Sequence, residues 1–242
     1  MKFIKTFEYY QNKKNQIQSD FFDMFKNDIS KAEDFVNRIA KQFGYTSAKY
    51  LDSGSIGMAF QTSDPNKIIK LTWDESEVAN AFKLKKKNTY RIINYYDVAK
   101  IEYINSVESD KLRGNIYAII CDKIEPLRLM EKEILQSITR GQHITSHNIH
   151  RIGYDTVLKY VSNNQKTILS YIQSSKAYLD SAKFCVDEYF KMIKECDKIG
   201  IRYGDAHYEN IGFGEFGQLV FFDVGVYSNY DDILHKVKVV RV

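Results

Sequence analysis

The amino-acid sequence predicts an α+β protein of two lobes, one small and rich in strands and one larger and mostly helical. Short β-branched and aromatic segments are concentrated in residues 45–124, whereas the apolar spacing after Pro126 is helical almost to Gly200. Strands and helices that are segregated along a chain are typical of this class. The 242 residues, 44% of them hydrophobic, are enough to bury two cores, and a cleft between lobes is a common ligand site.

The N-terminal part predicts a helix over residues 17–43. Residues 30–33, Ser-Lys-Ala-Glu, match a capping box, in which a Ser hydroxyl and a Glu carboxylate satisfy the first free N–H groups of a helix. Gly44 is suited to end this helix because glycine adopts a positive φ without steric penalty. We expect the N-terminal extension, residues 1–45, to brace the small lobe.

The central part predicts a small sheet with one helix. A change to short β-branched pieces over residues 45–72, with Gly54 and Gly57 among them, predicts a hairpin. The spacing becomes helical again over residues 75–87. Two strand-like segments follow, at 98–107 and 115–124.

The C-terminal half predicts helices followed by short strands. Residues 160–172 interrupt the helical pattern, and Asp180 with Ser181 would cap the last long helix. A brief strand, a polar loop and two more strands follow within residues 201–225. The predicted organisation is an N-terminal extension at 1–45, a small lobe at 46–121, a hinge at 122–126 and a helical lobe at 127–242.

Composition and charge argue against several classes of protein. The net charge of +4 comes from Lys and Arg that are interleaved with acids, which does not favour nucleic acid as a partner. The three cysteines form no CxxC pair, which fits a reducing cytoplasm. No stretch resembles a signal peptide or is apolar for long enough to cross a bilayer, so no membrane partner is expected. Two prolines and many Lys, Asn, Ile and Tyr suggest an AT-rich genome, such as that of a phage, a virus or a low-GC bacterium. The expected location is the cytoplasm, which is the host cytoplasm if the protein is viral.

A group of polar residues near the C-terminus is the strongest functional signal. Asp205, His207 and Asn210 lie in one loop, and Asp223 follows a strand-like segment soon afterwards. A hairpin between them would bring Asn210 and Asp223 together at one rim. A carboxylate and an amide carbonyl are hard oxygen donors that suit Mg²⁺ held jointly with phosphate oxygens. Asp205 would then face a nucleophile.

These residues resemble the catalytic segments of the protein-kinase superfamily, H-R-D-L-x-x-x-N followed by D-F-G. Residues 203–210 read Tyr-Gly-Asp-Ala-His-Tyr-Glu-Asn, and residues 223–225 read Asp-Val-Gly. Tyr and Gly therefore replace the usual His-Arg, and Val replaces Phe. His207 stands where protein kinases usually carry Lys, and this loop resembles the G-D-x-H-x-x-N loop of aminoglycoside and choline phosphotransferases.

The N-terminal half contains a segment that resembles the glycine-rich loop of kinases, G-x-G-x-x-G-x-V. Residues 51–60 read Leu-Asp-Ser-Gly-Ser-Ile-Gly-Met-Ala-Phe, with Asp52 in place of the first glycine and Ala59 in place of valine. Glycine lets the backbone approach phosphates closely with its amides directed at them. The residues that the resemblance assigns to the nucleotide phosphates are Gly54, Ser55 and Gly57.

Lys70 lies in Lys-Ile-Ile-Lys-Leu-Thr, which resembles the V-A-I-K strand of kinases. A cation in an apolar strand needs a partner. Glu77, Ala81 and Leu84 share one face of the following predicted helix, so Glu77 is the first choice of partner and Glu75 the second.

Residues 116–127 resemble the strand and hinge that hold adenine in kinases. The resemblance makes Cys121 the gatekeeper residue, and it assigns the hydrogen bonds to the base to the backbone of Asp122 and Ile124.

The resemblance, which covers residues 46–225, implies a bilobal protein kinase-like fold with a truncated helical lobe that lacks an activation segment. It implies an ATP- and Mg²⁺-dependent phosphotransferase. Lys70, fixed by Glu77, would orient the phosphates, Asn210 and Asp223 would hold the metal, and Asp205 would accept a proton. His207 would lie near the γ-phosphate in place of the missing Lys.

Several alternatives stay open on the sequence. The acceptor hydroxyl belongs to a protein Ser/Thr or to a small molecule, and a pseudokinase would bind without transfer. Asp205 and His207 would also suit a D-x-H metal pair of a metallophosphoesterase. A zinc site would suit the i, i+4, i+7 spacing of His143, His147 and His150.

Overall fold

The computed structural model describes residues 28–54, 57–85, 87–102, 115–139, 149–163, 175–201, 206–223 and 231–242. The predicted α+β class is confirmed. The helices are α1 (Ile29–Gln42), α2 (Glu75–Leu84), α3 (Leu129–Thr139), α4 (Ile149–Ile152), α5 (Tyr154–Asn163), α6 (Ser175–Ile199) and α7 (Asp231–Leu234). The strands are β1 (Ala48–Gly54), β2 (Gly57–Thr62), β3 (Lys67–Thr72), β4 (Tyr95–Glu102), β5 (Ile116–Asp122), β6 (Ile211–Phe213), β7 (Leu219–Phe221) and β8 (Lys238–Arg241).

Six strands form one sheet in the order β1-β2-β3-β5-β4-β8. The first four pairings in this order are antiparallel, and the predicted hairpin around the two glycines is confirmed by β1 and β2. At the far edge β8 runs parallel to β4, with Ala99 opposite Lys238. Strands β6 and β7 form a separate two-stranded sheet, with Ile211 opposite Phe221.

Helix α1 covers one face of the large sheet. Its apolar stripe, which includes Phe35 and Ile39, packs in the same buried cluster as Phe60, Ile69 and Leu71 of the strands. The burial of this stripe explains why the helix forms at this position. The described part of the predicted N-terminal extension, from residue 28 onwards, thus contributes to the core of the sheet, and the first part of the predicted helix, residues 17–27, lies outside the described residues.

The ends of α1 confirm one prediction and correct another. The N-cap is Asp28, whose side chain accepts a hydrogen bond from the N–H of Lys31. The predicted capping box is therefore wrong, because Glu33 instead accepts a hydrogen bond of 2.9 Å from the N–H of Tyr50 in β1. Gly44 follows the helix with a φ of 85°, as predicted.

Helix α2 begins and ends close to its predicted limits. Asp74 is the N-cap, and its carboxylate accepts a hydrogen bond of 2.9 Å from the N–H of Ser76. Residues Val78 and Ala81 are fully buried, so this helix also presents an apolar face to the protein interior.

The helical part of the chain is built around α3, α5 and α6, which contact one another. The predicted cap of the last long helix is wrong, because α6 begins at Ser175 and Asp180 with Ser181 lie inside it. Tyr178, in the early part of α6, is fully buried and donates a hydrogen bond of 2.9 Å to the carbonyl of Val161. This packing stabilises the first turn of α6, which precedes Asp180 and Ser181.

The chain divides into two compact units. The first contains Met1–Lys86, Tyr95–Lys123 and Ser228–Val242, and the second contains Lys87–Asn94 and Ile124–Tyr227. The chain passes from the first unit to the second within the predicted hinge. The predicted helical lobe differs from the second unit at its C-terminal end, because Ser228–Val242, with α7 and β8, belongs to the first unit.

Residues 87–94 are held in the second unit although both of their neighbours along the chain belong to the first. The Arg91 guanidinium forms a two-bond ion pair with the Glu188 carboxylate, at 3.0 and 3.1 Å. Glu195 accepts hydrogen bonds from the N–H groups of Tyr90 and Arg91. These hydrogen bonds to charged groups fix the segment on α6.

None of the helices in the described ranges has the length and apolarity that a membrane crossing needs.

Candidate active site

The hairpin of β1 and β2 carries the glycine-rich segment of the first unit. Gly54 and Gly57 are opposite each other where the two strands meet, and Ser55 lies outside the described residues. A Cβ atom on Gly57 would overlap the carbonyl oxygen of Leu71 in β3. Glycine is therefore required at position 57 by the close approach of β2 and β3, whether or not Gly57 also contacts a ligand.

Asp52, at the position of the first glycine of the kinase loop, lies beside an irregularity in β1. The register of β1 against β2 shifts between Tyr50 and Asp52. The Asp52 carboxylate accepts a hydrogen bond of 2.8 Å from the N–H of Ser53. This local bond directs the carboxylate to its own strand.

Lys70 and Glu77 form an ion pair that joins β3 to α2. The Lys70 Nζ lies 2.5 Å from Glu77 Oε1, which confirms the predicted pairing. The neighbours of Lys70 in the strand, Ile69 and Leu71, are buried in the cluster covered by α1, so the side chain of Lys70 is on the other face of the sheet. The Glu77 side chain is 5% exposed and that of Lys70 is 25% exposed.

The second candidate for the partner of Lys70 makes different contacts. Glu75 accepts hydrogen bonds of 3.0 Å from the Asn115 amide and 3.5 Å from the Tyr117 hydroxyl. Burial, together with the negative charge of Glu75, raises the pKa of Tyr117. The Tyr117 hydroxyl therefore stays protonated and continues to donate.

In the second unit, a short turn presents His207 and Asn210. Residues Tyr208–Asn210 form one turn of 3₁₀-helix immediately before β6. The Tyr189 hydroxyl donates a hydrogen bond of 2.8 Å to the carbonyl of Ala206, and Thr139 Oγ1 accepts one of 3.3 Å from the N–H of Tyr208. Helices α6 and α3 thus hold the turn from two sides. Sequence reasoning missed Thr139 and Tyr189, because they are far from the turn along the chain.

The predicted hairpin, formed by β6 and β7, places Asn210 opposite Phe222, next to Asp223 in the chain. The N–H of Phe222 donates a hydrogen bond of 3.0 Å to the carbonyl of Asn210, so Asp223 is one residue beyond the position opposite Asn210. Both side chains are partly exposed. The structure therefore places Asn210 and Asp223 at the same end of one hairpin, and the meeting of their side chains at a metal stays a prediction.

The ring of His207 lies against the side chain of Asn210. His207 Nε2 is 3.3 Å from Asn210 Nδ2, and His207 Nδ1 is 3.6 Å from a carboxylate oxygen of Glu209. The histidine is thus part of the same turn as the predicted metal ligand.

The predicted adenine-binding segment crosses the division between the two units. Cys121 is buried in β5, and burial raises the pKa of its thiol to about 12. The Asp122 carboxylate accepts hydrogen bonds of 2.6 Å from both Lys67 Nζ and the Tyr96 hydroxyl. These two partners were not predicted, and the apolar pattern of the strands gives no signal for them. Their bonds fix the side chain of Asp122, and the role of its backbone towards adenine stays a prediction.

Ile124, the other predicted contact of the base, belongs to the second unit and packs against β6. Glu125 and Phe213 exchange two backbone hydrogen bonds of 2.8 and 2.9 Å. A Cβ atom on Gly212 would lie 2.6 Å from the carbonyl oxygen of Glu125 and overlap the Ile124 side chain. Glycine at 212 therefore permits this strand to approach the hinge segment.

Other predicted residues fall outside the described ranges. Asp205, with the side chains of His143, His147 and His150, is among them. Within the described ranges no group of three or more His, Cys, Asp or Glu residues is arranged to hold a metal ion. The predicted magnesium donors, Asn210 and Asp223, do not form such a group, because they are only two residues and one of them is an amide.

Two comparisons with known proteins complete the description of the site. Neither the family models nor the curated proteins include a match to this chain.

Proposed function

We propose that the protein is an ATP- and Mg²⁺-dependent phosphotransferase that acts on a hydroxyl group. The observation that carries the proposal is the Lys70–Glu77 ion pair, from the third strand to the helix that follows. In protein kinases the lysine that contacts the nucleotide phosphates is on the third strand and pairs with a glutamate of the next helix. An apolar strand that includes a partly buried lysine, paired with a buried glutamate, has the same arrangement.

The donor set of the β6–β7 hairpin fits magnesium. Mg²⁺ prefers oxygen ligands and is usually bound by one or two carboxylates together with substrate phosphates. Asp223 supplies a carboxylate and Asn210 an amide oxygen at one end of the hairpin. When bound, the metal would neutralise the charge that develops on the transferred phosphoryl group.

The residues of the chain would act mainly by positioning and by charge. Lys70, held in place by Glu77, would contact phosphate oxygens of ATP. Asn210 and Asp223 would hold the metal, and Asp205 would accept the proton of the acceptor hydroxyl as it attacks. Catalysis of this kind depends on orientation and on preorganised charge.

The first candidate for the acceptor is the hydroxyl of a protein Ser or Thr in the cytoplasm, and a small hydroxylated molecule is the second. The His207 loop, with its likeness to aminoglycoside and choline phosphotransferases, favours the second candidate.

The experiment is transfer of labelled phosphate from ATP to a cell lysate and to aminoglycoside and choline acceptors. The wild-type protein should label an acceptor only with Mg²⁺ present, and Asp205→Ala should abolish transfer while ATP binding survives. Asp223→Ala should lose metal-dependent ATP binding. Full transfer by Asp205→Ala would contradict the proposal. Binding of ATP without transfer to any acceptor would show a pseudokinase instead.

A further inference from the structure

We propose that His207 is a positioning residue that orients the Asn210 carboxamide, so that the amide oxygen and not the amide nitrogen is presented to the cation. This inference rests on the proposed function, because it concerns one of the two proposed metal ligands. It differs from the role that the motif resemblance assigns to His207, which is a contact with the γ-phosphate.

The two side chains are brought together by the backbone. The N–H of Asn210 donates a hydrogen bond of 2.9 Å to the carbonyl of His207, which closes the 3₁₀ turn. Across the same turn, His207 Nε2 is 3.3 Å from Asn210 Nδ2. The turn itself is held by Thr139 on one side and by the bond from Phe222 on the other. The contact between the ring and the amide therefore belongs to a well-anchored segment.

The chemistry of the two groups decides the direction of this contact. With the Asn210 NH₂ group facing the ring, the NH₂ group donates and Nε2 accepts, which is the tautomer with the proton on Nδ1. Nδ1 is buried and has no hydrogen-bond partner among the described residues, and the Glu209 carboxylate, 3.6 Å away, favours a proton there by its charge alone. Because the carboxamide is planar, an NH₂ group directed at the imidazole leaves Oδ1 directed away from it.

The orientation matters because the two ends of a carboxamide have opposite polarity. A cation binds the oxygen and is repelled by the NH₂ group. Groups that orient a metal ligand from outside typically contribute 10- to 100-fold to metal affinity. His207 would therefore influence metal binding without touching the metal.

Substitutions at His207 separate this role from a phosphate contact. His207→Gln retains a hydrogen-bond acceptor that can receive the Asn210 NH₂ group but carries no positive charge. His207→Lys supplies the cation that kinases usually have at this position, but an ammonium has no acceptor. His207→Leu has neither property. The positioning role predicts that only Gln substitutes for His, and a phosphate contact predicts that Lys does.

The test measures the affinity of the full-length protein for Mn²⁺, a spectroscopic substitute for Mg²⁺, with a non-hydrolysable ATP analogue present. Electron paramagnetic resonance reports free Mn²⁺ in this titration. His207→Leu and His207→Lys should raise the Kd for Mn²⁺ about 10- to 100-fold. His207→Gln should stay within about threefold of wild type, because its carboxamide oxygen replaces the imidazole acceptor. His235→Leu, at an exposed histidine of the first unit, is the matched control and should leave the Kd unchanged.

Thermal unfolding establishes that each variant is folded, and if His207→Leu does not fold, the contrast between Gln and Lys decides. An unchanged Kd in His207→Lys, or a loss of Mn²⁺ affinity in His207→Gln as large as that in His207→Lys, would overturn the positioning role.

Asn210→Ala and Asp223→Ala separate this failure from failure of the proposed function. If both of them also bind Mn²⁺ like wild type, the hairpin is not the metal site and both proposals are wrong. If they lose Mn²⁺ and the His207 variants do not, only the inference about His207 is wrong.

Discussion

The Lys70–Glu77 pair and the Asn210–Asp223 end of the β6–β7 hairpin hold their functional groups in different ways. In the first unit, two side chains of opposite charge neutralise each other, and the carboxylate is almost completely buried. In the second unit, backbone hydrogen bonds and anchors from two helices hold the chain, and the side chains are partly exposed. The lysine therefore contributes to the stability of its unit, whereas we expect Asn210 and Asp223, the proposed metal donors, to affect ligand binding more than stability.

The largest expected effect is that of removing the lysine. Lys70→Met leaves the Glu77 carboxylate buried without its cation. We expect the free energy of unfolding to fall by about 3 kcal/mol. This is at the low end of the range for buried ion pairs, because part of the lysine side chain is exposed. Urea unfolding measures this loss. The double variant Lys70→Met/Glu77→Leu should recover most of it, and Lys49→Met, at an exposed lysine of β1, is the control. If Lys70→Met were as stable as the wild type, the contrast between the two regions would be contradicted.

Gly57 tests how far the first unit depends on close packing. Gly57→Ala forces a methyl group onto the Leu71 carbonyl, and we expect a destabilisation of about 2 kcal/mol from overpacking, measured by urea unfolding. The affinity of the folded variant for ATP, measured without urea, shows whether Gly57 also contacts the phosphates. An unchanged unfolding midpoint would contradict the close approach of Gly57 to the Leu71 carbonyl.

Thr139 tests the anchors of the second unit. Thr139→Val removes the acceptor of the buried Tyr208 N–H, and an unsatisfied buried donor should cost about 1–2 kcal/mol in the free energy of unfolding. Ser137→Ala, on the same helix, removes a hydroxyl that bonds within the helix to the carbonyl of Ile134, and this matched control should cost less. Equal losses in the two variants would show that the hydrogen bond to the turn contributes little.

The smallest expected change in stability belongs to the proposed metal donors. Asp223→Asn removes one charge at a partly exposed position, and the free energy of unfolding should change by no more than about 0.5 kcal/mol. The increase in Tm that Mg²⁺ and ATP together produce should nevertheless disappear, because a carboxylate ligand is lost. Glu215→Gln, an exposed acid at the turn of the same hairpin, should retain that increase. A large loss of stability in Asp223→Asn would show that both regions are structural.

Where local rules applied, the sequence predicted the structure well. The hairpin glycines, the start of α2 and the choice of Glu77 over Glu75 all follow from turn chemistry or from the 3.6-residue period of a helix. The two wrong helix caps have different causes. At α1 the nearby Asp28 is the cap and Glu33 bonds to β1 instead, whereas α6 begins before Asp180, where Tyr178 is buried and bonds to Val161.

The sequence by itself determined the α+β class, the position of Lys70 in an apolar strand and the hairpin that links Asn210 to Asp223, because each depends on residues close together in the chain. Only the tertiary structure decided that β8 completes the first sheet, that residues 87–94 belong to the second unit, and that His207 contacts Asn210 in an anchored turn. Parallel strand pairing and the anchors from α3 and α6 join segments that are far apart along the chain. Such contacts are selected by the packing of whole elements, and no local pattern encodes them.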